Sequence, residues 1–315
     1  VQLTYKGGFI LPINFLKNHI MKNIFYLLTA GTLLFSNSII AQQANNFAFY
    51  KNQMNIINPA YVGVDNQTQI TGSIRSQWTG VRDAPNTQAV SFGTPIGKNL
   101  GIGISVLNEE TFVEKQTSVG IDLSYLVKLS ETTDLYFGVK SGGNSFNINT
   151  SGLEFYSVDV DPAFASINSF TPNVGVGAVL KTDKYFLSLS VPKLVTFKDV
   201  KNDDGYAMVS TNRPQVYASG GYDFDLNPMG TLVLKPSFMA RYTSAAPVSV
   251  DFNTMLMINN NFEIGGMYRT DKAVAAMASI TVSKRLIVGF AYEVSSRSEL
   301  ASAKNTNEIM LQFKF

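Results

Sequence analysis

Cysteine is absent, histidine occurs once, as His19, and tryptophan once, as Trp78. Without cysteine there is no disulfide and no thiolate metal site, and a single histidine builds no imidazole cluster. Charge is scarce as well: Asp, Glu, Lys and Arg make up 15% of the chain, against roughly 25% in soluble globular proteins. Long apolar runs are also missing, since no stretch beyond residue 41 approaches the ~20 residues that a spanning helix needs. Little charge without spanning helices fits a transmembrane β-barrel, in which only alternate residues meet lipid.

Aromatic residues are plentiful, with 22 Phe and 14 Tyr among 315 residues. The longest apolar run lies near the N-terminus. Met21-Lys22-Asn23 precedes Ile24 to Phe35, and a short polar stretch then leads to Ala41. A basic start, an apolar middle and a small residue before the cut describe a secretory signal peptide over 21–41. Residues 1–20, upstream of Met21, read as an over-extended start. Removing 1–41 takes away Lys6, Lys17 and Lys22 but no acid, leaving 22 positive against 23 negative charges. That balance argues against a nucleic-acid partner, which calls for a basic footprint. His19 leaves too, so no imidazole remains to activate a serine or a water. An enzyme is not expected, nor is a cofactor.

From Gln67 onward the sequence alternates with period two, interrupted by turn residues. Fourteen strands are expected, near 67–78, 87–95, 99–108, 116–129, 133–148, 169–181, 185–191, 214–224, 230–243, 248–258, 261–269, 273–282, 286–295 and 306–315. An even number closes an up-and-down antiparallel barrel over 67–315, with 42–66 as a periplasmic N-terminal segment. The even-numbered connections are short, while the long ones, around 149–168, 192–213 and 296–305, are all odd-numbered. Short periplasmic turns and longer outer loops are the asymmetry of outer-membrane barrels. Arg75, Asp122, Lys140, Lys235, Arg241, Asp251, Glu263, Glu293 and Glu308 all oppose the apolar stripe of their strand. A basic charge at the lipid midplane costs roughly 2–4 kcal/mol, so these residues are expected to face a lumen crossed by ion pairs. In the last strand Ile309, Leu311, Phe313 and Phe315 alternate with polar or softer residues. Phe313 and Phe315 would then sit at the barrel terminus, in the interfacial aromatic girdle.

Other chemistry is thin. Glu109-Glu110 reads as part of a loop and Asp203-Asp204-Gly205 as a polar turn. Asp159-Val160-Asp161 lacks the spaced oxygens and the glycine of a calcium loop, so no metal site is expected. Gly101-x-Gly103 and Gly175-x-Gly177 fall within strands with no helix following, which excludes a phosphate cradle and suggests room for large neighbours inside. The connection carrying Leu153, Phe155, Tyr156, Val158 and Phe164 is too apolar for an idle loop. It is either a contact site or a plug folded into its own barrel. Phe155, Tyr156, Phe164 and Tyr206 are the candidate partner-binding aromatics, since aromatics concentrate binding energy.

Phe49-Tyr50-Lys51-Asn52-Gln53-Met54 and, after it, Asn58-Pro59-Ala60-Tyr61-Val62-Gly63 form a distinctive phrase. With Arg75-Ser76-Gln77-Trp78, Pro85, Leu189 to Leu194, Lys235-Pro236-Ser237 and Ile264 to Arg269, it resembles the PorP/SprF family of Bacteroidetes. Val62 stands where that family usually has Ala. The resemblance implies an outer-membrane component of the type IX secretion system. Such a protein would assist secretion or surface attachment of partners, gliding adhesins among them, through their C-terminal domains. Periplasmic components of the same system would be further partners, with outer-membrane lipid around the barrel. The alternative is a small-solute channel. For Asn58, Pro59, Ala60, Tyr61 and Gly63 two readings stand: a plug packed into the periplasmic mouth, or a capping turn before the first strand. Arg75 is expected to be a lumen ion-pair partner and Trp78 an interface anchor.

Overall fold

The computed structural model describes residues 46–149, 167–195, 198–203, 206–211, 213–244, 246–296 and 305–315, with 167, 198–203 and 206–211 as backbone. Phe155, Tyr156, Phe164, Asp159 and Asp161 lie outside them. Among the described residues no helix is long and apolar enough to cross a membrane.

The first strands are β1 (Gln69–Gln77), β2 (Asn86–Ile96), β3 (Leu100–Thr111), β4 (Glu114–Ser130), β5 (Thr133–Ile148), β6 (Ile167–Thr182) and β7 (Tyr185–Val191). Then come β8 (Lys198–Asp203), β9 (Tyr206–Thr211), β10 (Gln215–Tyr222) and the short β11 (Phe224–Asp225). The series ends with β12 (Leu232–Thr243), β13 (Ala246–Ile258), β14 (Phe262–Arg269), β15 (Ala273–Thr281), β16 (Leu286–Ser295) and β17 (Asn305–Lys314). Each barrel strand pairs antiparallel with its neighbours, β7 with β10 and β10 with β12, and β1 pairs with β17 to close the ring. The result is a 14-stranded antiparallel barrel, because β8 and β9 form a separate sheet and the short β11 continues the line of β10 along β12. Closure removes the sheet edges, whose free amides and carbonyls could not be satisfied in lipid.

Burial follows the alternation. Ile121 is 56% and Leu123 46% exposed, while Asp122 between them is fully buried. Outward Ile, Val, Leu and Phe form the lipid-facing belt, and polar and charged side chains point in. The turns 97–99, 131–132, 183–184, 259–261 and 282–285 share one end with the β10–β12 connection; the long connections share the other.

Two local expectations are corrected. The connection around 192–213 is not a plain loop, since β8 and β9 pair there as a hairpin with Asp203 opposite Tyr206. Tyr206 therefore opens a strand. Glu109-Glu110 belongs to the end of β3, paired with Gln116 and Lys115 of β4. Their polarity suggested a loop, but a strand end beyond the lipid belt is equally wet.

Candidate functional site

Small barrels of about eight strands fill their interior with wall side chains, while 16 to 18 strands leave a water channel. Fourteen lies between, and here the space is taken by residues 46–66. Phe47, Ala48, Phe49, Tyr50, Met54, Ala60 and Val62 are all buried. Their own secondary structure is slight: one helical turn at Met54–Ile57 and 3-10 turns at Tyr50–Gln53, Pro59–Tyr61 and Val64–Asn66. The wall holds the segment in place.

The Asn58-Pro59 pair sets the local geometry. Asn58 is extended, with φ −135° and ψ 112°, as a residue before proline should be. Its Oδ1 accepts the Ala60 N–H at 2.9 Å and starts the 3-10 turn. Its Nδ2 donates to Ser188 Oγ at 2.8 Å and to the Ala178 carbonyl at 3.1 Å. The wall around this turn has no side chains in the way. A Cβ on Gly138 would collide with the Ala60 nitrogen, and one on Gly177 with Asn58 Oδ1. One on Gly103 would come within 2.9 Å of Val62 Cγ2. Gly63, at φ +77°, turns the chain toward β1 in the left-handed region that glycine occupies freely.

Further anchors sit along the rest of the segment. The fully buried Glu308 accepts the Ala48 N–H at 2.7 Å and the Phe49 N–H at 3.0 Å. Asn253 donates to the Ala48 carbonyl, Ser190 to that of Ile57 and Ser124 to that of Val62. Tyr50 Oη donates to Ser237 at 2.8 Å, and burial raises its phenol well above the ordinary range. Lys140 Nζ reaches the Asn55 carbonyl at 3.3 Å while paired with Asp122 at 2.9 Å.

Above these contacts runs a chain of buried charges. Arg241 pairs with Asp251 at 2.6 Å, and Asp251 with Arg269 at 2.7 Å. Arg269 pairs with Glu293 at 3.1 Å, Glu293 with Arg75 at 3.0 Å, and Arg75 with Glu308 at 3.4 Å. The intervening β15 offers only Ala273 and Ala275 at this level, which lets Arg269 reach across it. At the short-turn end a cavity of about 350 Å³ remains between segment and wall. Lys51, Lys181, Lys235 and Glu263 line it, and Tyr61 meets Phe186 edge-on at 6.3 Å. Burial lowers the Lys51 ammonium below its usual range.

The structure thus brings Asn58, Pro59, Ala60, Tyr61 and Gly63 into the lumen, and the lumen also holds Arg75. All nine charges expected inside make ion pairs there. Trp78 is elsewhere: half-buried in the β1–β2 connection at φ +48°, its carbonyl accepting the Val81 N–H. Phe313 and Phe315 pack edge-on at 4.8 Å at the rim of the short-turn end, with Phe315 60% exposed. Arg269 was missed as an inward charge, although alternation with the outward Tyr268 signals it. That Glu308 holds backbone amides has no local signal at all.

No curated protein matches the chain. Among solved structures, the "TodX deltaS2S3 mutant monoaromatic hydrocarbon channel" matches at 11% identity and a TM-score of 0.51, over 82% of this chain and 93% of that one. This supports the barrel fold alone. The Acinetobacter baumannii outer membrane protein Omp33 also matches, at 9% identity and a TM-score of 0.47, over 79% of this chain and 99% of that one. The sequence profile described as "Type IX secretion system membrane protein PorP/SprF" matches residues 39–313. With its barrel closed and its Asn-Pro-Ala-Tyr segment seated inside, the chain belongs to the PorP/SprF family of type IX secretion system membrane proteins.

Proposed function

We propose that this protein is a non-enzymatic outer-membrane component that assists the secretion or surface attachment of partner proteins by engaging their C-terminal domains. The observation that carries this reading is the occupied lumen. A barrel filled by its own residues 46–66 and crossed by paired charges is poorly suited to passing solutes, so its loops are the natural working surface. The same occupancy weighs against the small-solute channel.

In this reading the short-turn end faces the periplasm, where type IX components would meet it, and the long connections face outward. Residues 21–41 direct export and are removed. The cargo contact is assigned to Phe155, Tyr156 and Phe164, with Tyr206 at the start of the β8–β9 hairpin as a second element. One truncated hot-spot aromatic costs about 2 kcal/mol or more, roughly thirtyfold in affinity. Changing Phe155, Tyr156 and Phe164 together to Ala should release cargo into the medium while barrel abundance holds. Pull-down from outer membranes with mass spectrometry then identifies the lost partner, and mature protein in the same sample should begin at Gln42. Cargo still attached to cells carrying normal amounts of the triple variant would refute the assignment.

A further inference from the structure

The wall and the segment inside it are held mainly by different kinds of bond; the one ion pair between them among the described residues, Asp65 with Lys181, lies toward solvent. Each buried charge of the wall has a counter-ion on the wall: Arg269 has Asp251 and Glu293, Arg75 has Glu293 and Glu308, and Lys140 has Asp122. Removing the segment would strand none of them. The segment is held mainly by neutral hydrogen bonds, donated by Asn253, Ser190 and Ser124 and accepted by Ser188, which water could replace. Even Glu308 and Lys140, the charged groups that touch its backbone, keep their wall partners. The segment adds one helical turn and three 3-10 turns of its own, and it joins β1 through Gln67 and Thr68. These are the relations of a ligand to a receptor.

We propose that the inner wall is a peptide-binding site, and that residues 46–66 are its resident, exchangeable occupant. The ligand class is a neutral peptide carrying a tight Asn-Pro-small turn. The glycine floor at Gly138 and Gly177 admits that turn only when little projects toward it, and Ala60 is fully buried there. When the occupant leaves, water enters a polar lumen and the barrel becomes a passage. This inference does not rest on the secretion reading, and its test uses no cargo.

Two variants are compared with the full chain in planar bilayers: one lacking residues 46–66, and full-length Gly138→Val, whose side chain would collide with Ala60. Both should conduct several-fold more than the full chain. A synthetic peptide of residues 46–66 should return the deleted barrel to the closed level. A free peptide competes without the advantage of a tether, whose effective concentration is about millimolar for short linkers. The same peptide with Ala60→Trp should have no effect. Silent variants, or currents indifferent to the peptide, would overturn the proposal. So would failure of both variants to assemble, because a ligand is dispensable to its receptor's fold.

Discussion

The two sides of the lumen handle buried charge differently. On the β4–β5 side Asp122 and Lys140 form an isolated pair, directly opposite each other in register. On the β12–β1 side six charges run in series from Arg241 to Glu308. Both clusters touch the enclosed segment at a backbone group of complementary sign: Lys140 at a carbonyl, Glu308 at two amides. In the isolated pair each partner has the other as its only ion-pair partner among the described residues. In the series an inner member has two neighbours, so losing one leaves its partners still answered. Arrangement, more than the number of bonds, sets the sensitivity to mutation.

The largest effect should come from Lys140→Met, which leaves the fully buried Asp122 without a counter-ion. Breaking a buried pair on one side typically costs about 3–5 kcal/mol. It would be read as a lower urea midpoint for the barrel in lipid. Replacing both members, Asp122→Leu with Lys140→Met, should restore most of the loss, since an intact apolar pair often matches a buried ion pair. A double variant as damaged as the single one would break the comparison. Arg269→Met should cost less, about 2 kcal/mol, because Asp251 keeps Arg241 and Glu293 keeps Arg75. Equal losses for Arg269→Met and Lys140→Met would show that the series gives no such insurance. The smallest change should be Glu308→Gln, about 1–2 kcal/mol. The amide oxygen still accepts one of the two backbone N–H groups, and Arg75 retains Glu293. A loss as large as that of Lys140→Met would place the segment within the barrel's own fold.

Much of the wall was legible in the sequence. β5, β7 and β16 run over the very residues at which alternation placed them, because a lipid belt on one side imprints period two strongly. Which charges face inward was equally readable, since each is a matter of parity within its own strand. The β8–β9 hairpin was not, because strands outside the lipid belt carry no such imprint. The choice of Arg269 for Asp251, or of Glu308 for the Ala48 amide, depends on strands meeting across the ring. The segment 46–66 has no period of its own to read. Its turn chemistry at Asn58-Pro59 was visible, but the glycines that receive it lie on β5 and β6, where each alone looks like a weak strand residue.

The position of Glu308 also bears on how the molecule is made. Glu308 lies on β17, the strand that seals the ring against β1, and its contact with Ala48 spans 260 residues of chain. The segment leaves the ribosome ahead of every strand, yet its strongest anchor is the last to be synthesised. Closing the seam and seating the segment thus engage the same strand at the same stage. Contacts so distant in sequence form slowly, because the intervening chain must first be ordered. The bond from the Ala48 amide to Glu308 is therefore available only once the seam strand is in place.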